Sequence, residues 1–176
     1  MKFWKFLLLV IALSACSRTG SSAYLTALEE AIRSADRIVI TEHSSPFDTY
    51  DAGSGKPLAT SELVYRTVEL SNSQRSQFLS LVEGLDPKEQ DALPACIFEG
   101  HHTIRFYAGA KLVSSLQVCF GCGQVEWPVT NATPPWSLVP GLEKVIRNAG
   151  LLPKRDWAEL ARAQLASPAG RSASSP

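Results

Sequence analysis

Three cysteines and one histidine in the second half of the chain are the residues best suited to chemistry. They read Cys96-x4-His101, then Cys119-Phe120-Gly121-Cys122-Gly123. Thiolate and imidazole are donors that zinc favours, four of them in a tetrahedron, often with a closely spaced Cys pair. A Cys-x2-Cys pair on a tight turn brings two thiolates to one ion, and Gly123 frees the backbone to make that turn. Cys96, His101, Cys119 and Cys122 are therefore a candidate zinc site. The same residues also read as a Cys96–Cys122 disulfide with Cys119 left free, which an oxidising compartment favours. A third reading is three thiols that only pack. Apart from Cys16, treated below, the cysteine number is odd, which fits a metal better than a pure disulfide framework. All three readings stay open at this level.

The elements that must position these residues follow from hydrophobic pattern. Ile104, Phe106, Leu112, Leu116, Val118 and Phe120 flank a turn near Ala108-Gly109-Ala110. A hairpin with a three-residue loop there sets Phe106 opposite Leu112, Gly100 opposite Val118 and Phe98 opposite Phe120. One face is then apolar, and the other carries Glu99, His101, Thr103, Arg105, Ser115 and Gln117. In this register Cys96 faces Cys122, Cys119 faces Glu99, and His101 lies on the next rung of the polar face.

Upstream, Tyr24, Leu25, Leu28, Ile32 and Ala35 recur at helical spacing behind Ser21 or Ser22 as cap. Residues 37–43 are β-rich, 44–60 hold turn residues, and 61–70 read as a second strand. Ser71 and Gln74 form a capping box ahead of a helix through Phe78, Leu81, Val82 and Leu85. Ser137 caps a helix with Leu138, Leu142, Val145 and Ile146 on its face, Gly150 closes it, and Asp156-Trp157-Ala158-Glu159 opens one more. Strands grouped between helices predict an α+β domain, a small, largely antiparallel sheet with helices covering one face.

Other motifs carry less. Residue 123 is Gly, so no haem-attachment Cys-x-x-Cys-His exists. An extended stretch follows Cys122, not the helix start that activates a thioredoxin-like thiol. Gly53-Ser54-Gly55-Lys56 lacks the rest of a phosphate loop. Neither a Gly-x-Ser-x-Gly elbow nor a His-Glu-x-x-His helix is present. Glu42, His43, Asp48 and Asp51 are an acid–base or metal-binding group in outline, but loop carboxylates are ordinarily solvated. His102 falls on the apolar face as a partly buried, hydrogen-bonded core histidine. Trp127, Trp136 and Trp157, with Pro128, Pro134 and Pro135, read as an aromatic platform or as helix packing.

Basic and acidic residues number 17 each, and no basic stripe appears, which argues against nucleic acid as a partner. Lys2 and Lys5 precede an apolar run ending Leu13-Ser14-Ala15-Cys16. That order is a secretory signal, and the run is shorter than the roughly 20 residues a span requires. Leu13-Ser14-Ala15-Cys16 resembles the lipobox of bacterial lipoproteins. The resemblance implies removal of residues 1–15 and acylation of Cys16, whose several chains bind a membrane at about 0.8 kcal/mol per buried CH2. Ser17 rather than Asp follows, which in lipoproteins favours the outer over the inner membrane. Residues 16–22 are then a tether, 23–165 one domain, and the Ser/Pro/Ala-rich 166–176 a disordered tail.

Cys96-x4-His101, a Gly-turned hairpin, Cys119-Phe120-x-Cys122 and a helix ending Ala149-Gly150-Leu151-Leu152-Pro153 together resemble a family of small bacterial proteins, many of them lipoproteins, to which no activity is attached. The likeness covers residues 95–153. Its members tend to read Cys-Phe-x-Pro-Arg-His, whereas this chain lacks the Pro and Arg, so either His101 or His102 aligns with the family's histidine. The expectation is a lipid-anchored envelope protein facing the periplasm, a binding or assembly module with a structural Cys/His cluster and an envelope protein as partner. The alternative is thiol–disulfide or metal-handling chemistry through Cys119 and Cys122.

Overall fold

The computed structural model describes residues 20–51, 53–59, 61–88 and 95–167. The signal segment, Cys16 and residues 168–176 lie outside them. In chain order the elements are α1 (Gly20–Ser34), β1 (Arg37–His43), β2 (Tyr50–Asp51), β3 (Lys56–Pro57), β4 (Val64–Glu69), α2 (Asn72–Glu83), β5 (His102–Ala108), β6 (Lys111–Cys119), β7 (Gln124–Glu126), α3 (Leu138–Asn148) and α4 (Trp157–Ala166). The fold is α+β. A five-stranded antiparallel sheet has the order β4-β1-β5-β6-β7, and β2 and β3 form a separate pair.

Three helices cover one face of the sheet. Leu28 and Ile32 of α1, Phe78 and Val82 of α2, and Leu142 and Ile146 of α3 are pairs one helical turn apart. They meet Ile38 and Ile40 of β1, Ile104 and Phe106 of β5, and Leu116 and Val118 of β6 in one core. The strand residues alternate, as a half-covered antiparallel sheet requires. Among the described residues no helix is long and apolar enough to cross a membrane.

Helix ends agree with the sequence where the signal is local. Ser71 Oγ accepts from the Gln74 N–H at 3.2 Å, and Gln74 Oε1 accepts from the Ser71 N–H at 2.9 Å, completing the capping box. Gly150 takes φ +77° after α3, and the N–H groups of Gly150 and Leu151 return to the carbonyls of Arg147 and Ile146. That is the glycine closure expected. Two caps differ. α1 begins at Gly20, so Ser21 and Ser22 are helical rather than capping or tether residues. Ser21 is buried one turn ahead of Leu25, and packing carries the helix past residues that propensity alone would place at its end. Ser137 does not cap α3; its Oγ donates to the Asp86 carbonyl at 2.8 Å.

The β5–β6 hairpin has a different register from the predicted one. Its turn is two residues, Gly109-Ala110, with Gly109 at φ +58° in the first central position, where such a turn demands glycine. A bulge at Phe106/Tyr107 adds a further residue of shift, so His102 faces Val118 and Ile104 faces Leu116. The pairing moves by two residues. An even shift leaves the side chains on the sheet side of the bulge on their predicted faces, but Leu112, beyond the bulge, pairs with Tyr107 instead of Phe106 and is exposed. Cys96 and Cys122 are not partners in a strand ladder. Cys96 lies outside the strands, and Cys119 pairs with Gln124 of β7 rather than facing Glu99.

Candidate functional site

All three histidines of the chain meet at one end of the sheet. His43 ends β1, His102 opens β5, and His101 immediately precedes it, its carbonyl accepting from the His43 N–H at 3.1 Å. All three are buried. Buried polar groups require partners, and the three histidines differ in how far they find them.

His101 faces carboxylates. Its Nε2 lies 3.0 Å from Asp48 Oδ2, and its ring stacks on Trp157 with centroids 4.6 Å apart. The loop after β1 presents Asp48 by folding on itself. Asp48 Oδ2 accepts from the Ser45 N–H at 2.6 Å, and the Asp48 N–H donates to the Ser45 carbonyl. Glu99 completes the group. One donor atom each from Asp48, Glu99 and His101 lies within 4.8 Å of the others, a set that can hold a metal ion.

The cysteines lie beside this set. A cleft of about 480 Å³ is lined by Cys96, Glu99, His101, Cys119 and Cys122, together with Lys154, Arg155 and Trp157 from the segment entering α4. All four residues selected from the sequence thus line one cleft, though not as four ligands around one point. His101 turns to Asp48, and the sulfurs flank it. Cys96, Cys119 and Cys122 are free thiols, exposed, buried and half-buried respectively. Cys119 Sγ accepts from the Cys122 N–H at 3.1 Å. Burial pushes both the Cys119 and Cys122 thiols above the ordinary range.

His102 and Glu42 pair across β5 and β1, and both side chains are 0% exposed. Glu42 is therefore not the solvated carboxylate its loop-edge position suggests. Its Oε1 accepts from the Leu152 N–H at 2.8 Å, and Arg155 Nη2 lies 3.3 Å from Oε2. The chain after α3 is fastened to the sheet by a buried charge. His102 Nε2 is 3.7 Å from Glu42 Oε1, too long for a hydrogen bond, and neither ring nitrogen has a hydrogen-bond partner among the described residues. Burial, reinforced by His101 and His43, pushes its pKa down to about 3, so the ring is neutral at neutral pH.

His43 has the outline of a catalytic triad. Thr103 Oγ1 lies 2.7 Å from Nε2, and Glu62 Oε1 lies 2.8 Å from Nδ1. Both neighbours of Nδ1, Glu62 and the Ser44 carbonyl, are acceptors only, so Nδ1 carries a proton. Thr103, however, is 2% exposed on the central strand of the sheet, so no acyl group can reach it. This chain of bonds joins β1, β5 and the loop before β4.

Asp51 ends β2 at the turn to β3. Its Oδ1 accepts from the Ser54 N–H, a bond that lowers its pKa. The tryptophans divide. Trp127 is buried edge-on to Tyr24, Trp136 is exposed, and Trp157 covers His101. Asp48 and Glu99 as partners of His101 were only partly visible in the sequence. Glu99 shares the predicted polar face with His101, whereas Asp48 lies 53 residues upstream with no spacing to link them. No protein-family model, curated protein or solved structure matches this chain.

Proposed function

We propose that this is a lipid-anchored protein of the bacterial cell envelope that binds a zinc-type divalent ion at Asp48, Glu99 and His101. The observation that carries the reading is the convergence of one imidazole and two carboxylates beside a cleft. Two carboxylate charges balance a divalent cation. Three protein ligands leave a fourth position open, as in zinc sites that exchange or activate a ligand, whereas structural sites are closed by four. The imidazole, with three thiols nearby, favours zinc over magnesium or calcium, which prefer oxygen donors alone. Acylation at Cys16 would hold the domain at a membrane surface, facing the periplasm, with the outer membrane favoured. An ion held by these three residues would be open to the cleft, and the function is metal binding or delivery.

The test is a zinc titration of the mature protein, purified from membranes in detergent, stripped with a chelator and placed in competition with a chromophoric chelator. One equivalent is expected to bind. Asp48→Asn, Glu99→Gln and His101→Ala are each expected to weaken it by roughly ten- to a hundredfold or more. Wild-type affinity in all three variants overturns the assignment.

A further inference from the structure

Cys122 sits between two other thiols. Its Sγ donates to the carbonyl of Ile97, the residue after Cys96, at 2.8 Å. The side chains of both Cys96 and Cys119 are within hydrogen-bonding reach of it. The three sulfurs differ in access and in freedom. Cys96 is exposed and lies in the irregular segment ahead of β5, with no ladder to hold it. Cys122 is half-buried on the turn between β6 and β7. Cys119 is 2% exposed and fixed in the β6 ladder opposite Gln124. Its sulfur accepts from the Cys122 N–H and is the least accessible of the three.

We infer that Cys96 and Cys122 are a thiol–disulfide exchange site on the wall of the cleft, with Cys119 remaining a thiol. The substrate class is a small or protein-borne disulfide of the envelope. The exposed Cys96 thiolate attacks one sulfur of that disulfide, forming a mixed disulfide and releasing one thiolate. Cys122, as its thiolate, then attacks the Cys96 sulfur. The Cys96–Cys122 bond forms and the second thiolate leaves. The two protons lost by the cysteines pass to the two released thiolates, so the pair is oxidised by two electrons as the reagent disulfide is reduced. The pair needs no helix N-terminus. Exposure supplies the attacking sulfur, and the Ile97 contact holds the resolving sulfur beside it.

The test uses the mature protein in detergent, with metal removed and a chelator present, equilibrated with mixtures of oxidised and reduced glutathione. Acid quenching, alkylation and peptide mapping by mass spectrometry then locate the bond. The expected result is a Cys96–Cys122 cross-link with Cys119 alkylated, the same cross-link in Cys119→Ser, and none in Cys96→Ser. A Cys119–Cys122 cross-link in the wild type overturns the inference, as does alkylation of all three cysteines in the most oxidising mixture. The chelator excludes metal, so either result is independent of the zinc titration.

Discussion

Trp157 lies flat on His101, with the ring planes within 7° of parallel. The same indole stacks on Tyr65 at 6.0 Å and meets His102 edge-on at 5.6 Å. The first residue of α4 therefore closes the end of the sheet and keeps the His101 ring turned to Asp48. Trp157→Ala is expected to lower stability by roughly 1–3 kcal/mol, since the ring is only part-buried, and to weaken zinc binding as His101 gains freedom. Trp157→Phe, which keeps a stacking ring, is expected to recover most of both. Urea unfolding and the zinc competition assay read the two effects separately, and an alanine variant with unchanged affinity would show that the stack does not orient the ligand.

The Glu42–Arg155 pair makes a second prediction. Arg155→Ala leaves the buried Glu42 carboxylate with only the Leu152 N–H as a hydrogen-bond donor. Removing one member of a fully buried pair typically costs roughly 3–5 kcal/mol, and the part-exposure of Arg155 puts the cost at or below the low end of that range. Glu42→Gln keeps an oxygen for Leu152 and is expected to cost less. Denaturant midpoints should fall in the order wild type, Glu42→Gln, Arg155→Ala. The reverse order of the two variants would mean that the carboxylate is reached by water.

His102 gives stability a pH dependence. Its pKa is about 3 in the fold and near 6.5 in the unfolded chain, so the unfolded state binds more protons between those values. The contribution is complete above pH 6.5 and is lost as pH falls toward 3, at up to about 1.4 kcal/mol per pH unit in that window. His102→Leu, which keeps a side chain in the core without the titration, is expected to flatten the fall between pH 6 and 4. Parallel slopes for the variant and the wild type in urea midpoints against pH would assign the acid sensitivity to other groups.

Anchoring rests on Cys16. Cys16→Ala is expected to abolish incorporation of labelled palmitate and to leave a precursor that still carries residues 1–15. Normal labelling of that variant would remove the lipid anchor from the account.

What the sequence disclosed followed the range of the interaction. The capping box at Ser71 and Gln74 and the Gly150 closure are local and were legible. So were the two faces of most of the β5–β6 hairpin, because alternation survives an even shift of register; Leu112, beyond the bulge, changed face. The register itself was not legible, since a bulge at Phe106/Tyr107 leaves no mark in the pattern of apolar residues. Neither was the burial of Glu42, whose partner Leu152 lies 110 residues away. His101 was identified, but its spacing to the cysteines pointed to sulfur ligands. The carboxylate of Asp48 reaches it only through the folding of the loop after β1. Sequence proximity located the cleft, and tertiary structure chose which atoms face each other within it.

X-ray absorption at the zinc edge of the zinc-loaded protein, with anomalous diffraction to place the ion, tests the central claim most directly. The expected result is one ion bonded to His101, Asp48 and Glu99 at the nitrogen and oxygen distances of about 2.0–2.2 Å, with an exchangeable fourth ligand in the cleft. An ion held by Cys96, Cys119 and Cys122 at the sulfur distance of about 2.3 Å, with Asp48 uncoordinated, would contradict it.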